Sequence, residues 1–207
     1  MSEINKFEIE NPIFLDLPMP IITPRLKIVI PDPKYAEQML AAKDESLDIL
    51  VPWMRWAKDG AGTLDEQREL LIRKQALFIL REDLMMLALT HDDELVVMTG
   101  IHSFNWRVPS AMIGYWAKKS AHGKGYVTEA ANAVLRYGFG QMGLRKIDIF
   151  MDTENTASEN VAKRLNMIHE YDERAASSTL HDDPLTRIKR SYCCYGVDDL
   201  PPLDVKW

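Results

Sequence analysis

Residues 111–128 read Ala-Met-Ile-Gly-Tyr-Trp-Ala-Lys-Lys-Ser-Ala-His-Gly-Lys-Gly-Tyr-Val-Thr, and this stretch constrains the fold more than any other. Residues 111–117 carry β-branched and aromatic side chains and no charge, the pattern of a buried strand. Gly123 and Gly125 open a loop, and residues 129–137 are rich in helix formers. A glycine loop feeding a helix presents free backbone N–H groups and the positive end of the helix dipole. Such an arrangement suits a phosphate or pyrophosphate.

Two common phosphate loops do not match. A P-loop needs Ser or Thr after its Lys, and here Gly125 follows Lys124. A dinucleotide fingerprint needs a third glycine, where this chain has Thr128, and no early βαβ unit surrounds it.

The run His122-Gly123-Lys124-Gly125-Tyr126-Val127-Thr128-Glu129-Ala130 resembles the acyl-CoA loop of the GCN5-related N-acetyltransferase (GNAT) superfamily, Arg/Gln-x-x-Gly-x-Gly/Ala. His122 stands where the family has Arg or Gln, and Val127 where it has Gly or Ala. Further segments are similar to the ribosomal-protein N-terminal (serine/alanine) acetyltransferase branch. These are Thr23-Pro24-Arg25-Leu26 at the first strand, Leu50-Val51-Pro52-Trp53-Met54-Arg55-Trp56 on the acceptor side, Ile113-Gly114-Tyr115-Trp116, and Asn155-Thr156-Ala157-Ser158.

The resemblance implies acetyl-CoA as co-substrate, no metal, and a primary amine as acceptor, foremost a protein or peptide N-terminus. It assigns His122 and Gly123 to the cofactor, the backbone N–H groups of Lys124, Gly125, Tyr126, Val127 and Thr128 to its pyrophosphate, and Gly114, Tyr115, Trp116 and Ala117 to the pantetheine arm. An oxyanion-binding N–H is expected at Trp116 or Ala117. Asn155 is assigned to the pantetheine amide and Ser158 to the departing sulfur as acid, with Tyr171 and Tyr195 as alternatives. The branch's usual Glu base has no counterpart at its place in residues 174–178, leaving Glu173, Asp182 and His102 as substitutes. Trp53 and Trp56 are assigned to the acceptor pocket. Blander roles compete: Asn155 and Ser158 are good helix caps, and the two tryptophans are equally suited to closing a core. An acetyltransferase for a small amine and an inactive acyl-CoA-binding sensor are the rival functions.

Composition narrows the setting. The 207 residues are 46% apolar, enough for one core, and the formal net charge of −6 argues against a nucleic-acid partner. Asp44, Glu45 and Asp48 could attract a cationic amine. No apolar run reaches membrane-spanning length, and the first residues lack a signal-peptide core, so a cytoplasmic monomer or homodimer is expected. Cys193 and Cys194 are adjacent and form no disulfide framework.

Along the chain, residues 1–22 read as an extension, 23–200 as one N-acetyltransferase domain and 201–207 as a tail. Strands are expected at 26–30, 84–90, 95–104, 111–117 and 146–151, with two more between 168 and 197 around a polar loop at 174–184. Asp32 with Pro33, and Thr63 with Glu66, signal helix starts. Gly143 and Asn166 are suited to left-handed caps. The sum is an α+β fold: a central twisted, mostly antiparallel sheet with helices on both faces.

Overall fold

The computed structural model describes residues 8–174 and 187–207. Eight strands form one sheet in the order β1-β2-β3-β4-β5-β6-β8-β7. These are β1 (Ile21–Ile22), β2 (Leu26–Val29), β3 (Leu84–Thr90), β4 (Leu95–Asn105), β5 (Ser110–Ala117), β6 (Lys146–Asp152), β7 (Ile168–Arg174) and β8 (Ile188–Cys194). Every neighbouring pair is antiparallel except β5 and β6.

Period-two burial along the strands splits the core between the two faces. One face packs under α1 (Ala36–Asp44) and α3 (Leu64–Leu80), where Met39 and Leu71 meet Leu87, Leu89 and Met98. The other packs under α4 (Tyr126–Gly140) and α5 (Thr156–Arg164) around Val134, Leu135, Ile147 and Ile149. A four-residue helix, α2 (Leu47–Leu50), follows α1.

Local signals explain most boundaries. The Asp32 side chain accepts from the Lys34 N–H, and Thr63 and Glu66 close a reciprocal capping box at the head of α3. Gly143 and Asn166 both adopt positive φ, at 67° and 57°.

Packed structure continues on both sides of the boundaries drawn at residues 23 and 200. Ile21 is fully buried in β1, and the Ile22 and Lys206 backbones exchange hydrogen bonds of 2.7 and 2.9 Å. Trp207 then meets the Tyr137 ring edge-on at 5.8 Å. The two ends of the chain thus finish the same sheet edge. Among the described residues no helix is long and apolar enough to cross a membrane.

Candidate active site

The site begins where the sheet comes apart. β5 and β6 pair in register only at Ser110–Lys146, Ala111–Ile147 and Met112–Asp148. Beyond that point β5 stays paired with β4 as far as Ala117, and β6 with β8 as far as Asp152. Each strand therefore has one free edge, and the two edges bound a slot. Backbone groups in a strand alternate between its neighbours. The Lys118 N–H bonds to Val96 on the β4 side. By alternation the N–H groups of Tyr115 and Ala117 face the slot, while that of Trp116 faces β4. Of the two oxyanion donors expected from sequence, the register therefore favours Ala117.

A cleft of about 1470 Å³ runs along this slot and is lined from both faces of the sheet. At one end lies the glycine loop. Gly125 takes φ 78° as the N-cap of α4 and offers no side-chain cap, so the first-turn N–H groups of Tyr126, Val127 and Thr128 are left without intrahelical partners. Helix α4 starts three residues before the run of helix formers predicted at 129. Gly123, Gly125, Tyr126, Val127 and Thr128 line the cleft, whereas Lys124 does not. The Lys124 carbonyl instead accepts from Arg25 Nη1 at 2.7 Å. His122 Nε2 donates to the Ala117 carbonyl at 3.2 Å, closing the turn between strand and loop.

Glu129 holds this end together. Its carboxylate, 8% exposed in the first turn of α4, accepts from Thr23 Oγ1 at 2.7 Å, from the Arg25 N–H at 2.9 Å and from Arg25 Nε. The Arg25 guanidinium also lies 4.9 Å from the centre of the Tyr126 ring. Sequence reasoning placed Thr23 and Arg25 at the first strand and missed this role. An acidic residue in the first turn of a helix expected to receive an anion was the available signal, because it calls for a cation beside it.

On the α5 side, the Asn155 side chain accepts from the Ser158 N–H at 3.1 Å, so its oxygen caps the helix and its amide nitrogen remains available. The Tyr115 and Ser158 hydroxyls are 3.2 Å apart. Burial pushes the Tyr115 phenol well above its ordinary range, so at neutral pH it is a hydrogen-bond donor and not a phenolate.

On the opposite face, Trp53 lines the cleft together with Pro52, Met54, Met112, Trp116 and His102. Trp56 does not line it; it packs on Trp116 with ring centroids 5.5 Å apart. Two of the acidic residues near this wall are committed elsewhere. Glu45 accepts from the Ser120 N–H and hydroxyl at 3.0 and 2.8 Å, and Asp48 pairs with Lys119. They anchor the turn leading into the glycine loop.

The structure does not bring Tyr171, Tyr195 or Glu173 to the cleft lining. Tyr171 is 43% exposed on β7, Tyr195 donates to Glu170 at 2.6 Å, and Glu173 pairs with Lys189 at 2.7 Å. Tyr171 and Glu173 thus sit on β7, the outermost strand of the sheet, behind the cleft-lining Phe150 and Lys189. Asp182 lies outside the described residues. Away from the cleft, Asp148, Glu170 and Cys193 form a cluster of metal-ligand type, but the Lys146 ammonium sits 3.0 Å from Asp148 and 2.7 Å from Glu170.

The sequence that builds this slot and the glycine-capped helix matches a known family. The family model described as "Acetyltransferase (GNAT) domain" covers residues 25–168. The chain belongs to the GNAT acetyltransferase family. Among curated relatives it is 25% identical over 149 residues to the Bacillus subtilis (strain 168) protein named "Putative ribosomal N-acetyltransferase YdaF", spanning 72% of this chain and 81% of that one. Among solved structures it is similar to RimL, the ribosomal L7/L12 α-N-protein acetyltransferase, in complex with coenzyme A. That match has TM-score 0.77 at 17% identity and covers 87% of this chain and 98% of RimL. Mycobacterium smegmatis RimJ in complex with CoA-disulfide gives TM-score 0.77 at 20% identity and 92% coverage of both chains. At these identities the structural matches establish the fold. In this GNAT chain, the strand expected to carry the pantetheine arm is β5, and its free edge is the one facing the slot.

Proposed function

We propose that this GNAT protein transfers the acetyl group of acetyl-CoA to the N-terminal α-amine of a protein or peptide, by direct transfer with both substrates bound. The observation that carries this reading is the slot between β5 and β6, which opens to both faces of the sheet. One face offers the uncapped N–H groups of residues 126–128 and the Ser158 hydroxyl. The other offers an apolar wall led by Trp53.

The residues fit the cofactor's chemistry. Unpartnered N–H groups at a helix N-terminus accept pyrophosphate, and a free strand edge accepts an amide-bearing arm by main-chain hydrogen bonding. Acetyl-CoA supplies the activated acetyl group. The Ala117 N–H stabilises negative charge on the acetyl oxygen as the amine adds, a contribution typically about 3 kcal/mol. Ser158 gives its proton to the departing sulfur, and the Tyr115 phenol restrains that hydroxyl. Asn155 holds the arm through its amide nitrogen. Trp53 and its neighbours seat the residue that carries the amine, a reading supported by the ribosomal acetyltransferases among the relatives.

Thermal unfolding with and without acetyl-CoA tests the cofactor half. Ligand at 100 times its dissociation constant adds about 2.7 kcal/mol, a rise of roughly 5–10 °C for a chain of this size. Transfer of labelled acetyl to N-terminal peptides, with spermidine as the competing acceptor, tests the other half. Turnover of spermidine alone would remove the peptide assignment.

A further inference from the structure

Of the expected bases within the described residues, Glu173 is paired with Lys189 on an edge strand, and the cleft lining offers titratable groups of its own. One stands out by position. His102, on β4, pairs with Met112 across the sheet, and Met112 is the last β5 residue in register with β6. The imidazole thus sits level with the vertex of the slot, on the Trp53 face. It points edge-on at β5: a Cβ added at Gly114 would meet His102 Cε1 at 2.9 Å, with Nδ1 and Nε2 behind it at 3.7 and 3.9 Å. The glycine makes room for the ring. His102 lines the cleft, and neither ring nitrogen is hydrogen-bonded within the described residues.

We infer that His102 is the general base, accepting the proton released by the attacking amine. This rests on the acetyl-transfer reading above. As the nitrogen–carbon bond forms and the carbon–sulfur bond breaks, His102 takes one N–H proton and Ser158 protonates the sulfur. Solvent then removes the proton from His102 and restores that of Ser158, so amide and free thiol are the net products.

The surroundings keep the ring a neutral acceptor. Burial draws its pKa below the ordinary 6.5; Asp83 pulls it up and Lys74 pushes it down. Those two groups are themselves paired at 2.7 Å, at the start of β3 and on α3. Met112 and Gly114 of β5 and residues 52–54 present no charge, and the Lys189 ammonium in the cleft is paired with Glu173. A base this weak suits an α-amine, whose ordinary pKa of about 7.7–8.0 is far closer to it than that of a lysine side chain, about 10.4.

The test compares kcat/KM against pH for wild type, His102→Gln and Lys74→Met, on whichever of an N-terminal peptide or spermidine is turned over. Alongside it, the His102 ring resonance is titrated by NMR without substrate. Wild type is expected to show an acid limb below the ordinary imidazole range, with the ring titrating on that same limb. His102→Gln should fall by about 10²–10⁴-fold and lose that acid limb, while keeping the acetyl-CoA melting shift that shows it folded. Lys74→Met, by removing a repelling cation and freeing Asp83, should move both the limb and the ring titration to higher pH. Turnover of spermidine but no peptide would sink the acceptor reading and leave the base testable. A His102→Gln rate within threefold of wild type, or a limb that ignores Lys74→Met while the ring titration moves, would overturn the base assignment.

Discussion

The Thr23 hydroxyl donates to the Glu129 carboxylate across 2.7 Å, joining the turn before β2 to the first turn of α4 over 106 residues of sequence. Arg25 adds two donors to the same carboxylate and a third to the Lys124 carbonyl. A buried carboxylate beside the proposed pyrophosphate site would repel the ligand; this turn neutralises it and fixes the loop from both sides. Arg25→Gln should therefore raise the KM for acetyl-CoA roughly tenfold and cost about 1–3 kcal/mol of stability, while kcat changes little. Steady-state kinetics and urea unfolding check both parts.

Ser158→Ala is expected to lower kcat by about 10²-fold or more with the KM for acetyl-CoA nearly unchanged. Tyr115→Phe removes only the partner of that hydroxyl and should cost less. Equal falls in the two variants would mean the pair acts as one structural unit and not as donor and support.

Two glycines on adjacent strands should respond differently to alanine. At Gly100 the new Cβ would meet the Leu84 carbonyl oxygen at 2.5 Å and the Met85 Cα at 2.8 Å, both backbone. Neither can yield, so Gly100→Ala should destabilise by about 1–3 kcal/mol or more. At Gly114 the obstacle is the His102 ring, a side chain that can turn away. Gly114→Ala should keep most of the stability and lose activity. Melting temperature and turnover separate the two outcomes.

Glu159 supplies a pH dependence. Lys163, Tyr192 and Arg190 hold its carboxyl down to about 2. A carboxylate whose folded pKa is depressed contributes stability above its unfolded pKa, and loses it as pH falls through the folded value. The stability gap between wild type and Glu159→Gln should be full at pH 7, shrink from about pH 4.5 downward and close near pH 2. Denaturant midpoints across that range measure it.

Features encoded by neighbouring residues were legible in the sequence. The Thr63–Glu66 box, the Asp32 cap and the positive φ at Gly143 and Asn166 are local backbone chemistry, and the strand from 111 to 117 announces itself by composition. Features that depend on register were not. Whether Trp116 or Ala117 turns its N–H to the slot is decided by pairing with β4. The pairing of Glu173 is decided by Lys189 on β8, and the place of Lys206 at the sheet edge by Ile22, more than 180 residues away. The early start of α4 follows from Gly125, whose left-handed φ lets the helix begin at Tyr126 before the stronger helix formers arrive.

The parting of β5 and β6 also has a signature in time. Amides in the middle of a large sheet ordinarily exchange with deuterium only when the sheet opens. The Tyr115 and Ala117 amides sit in that middle yet face a gap, so they should exchange orders of magnitude faster than those of Trp116 and Gly114, their chain neighbours bonded to β4. A sheet of eight strands thus carries a leak at its centre, sealed when a ligand lies along the free edge.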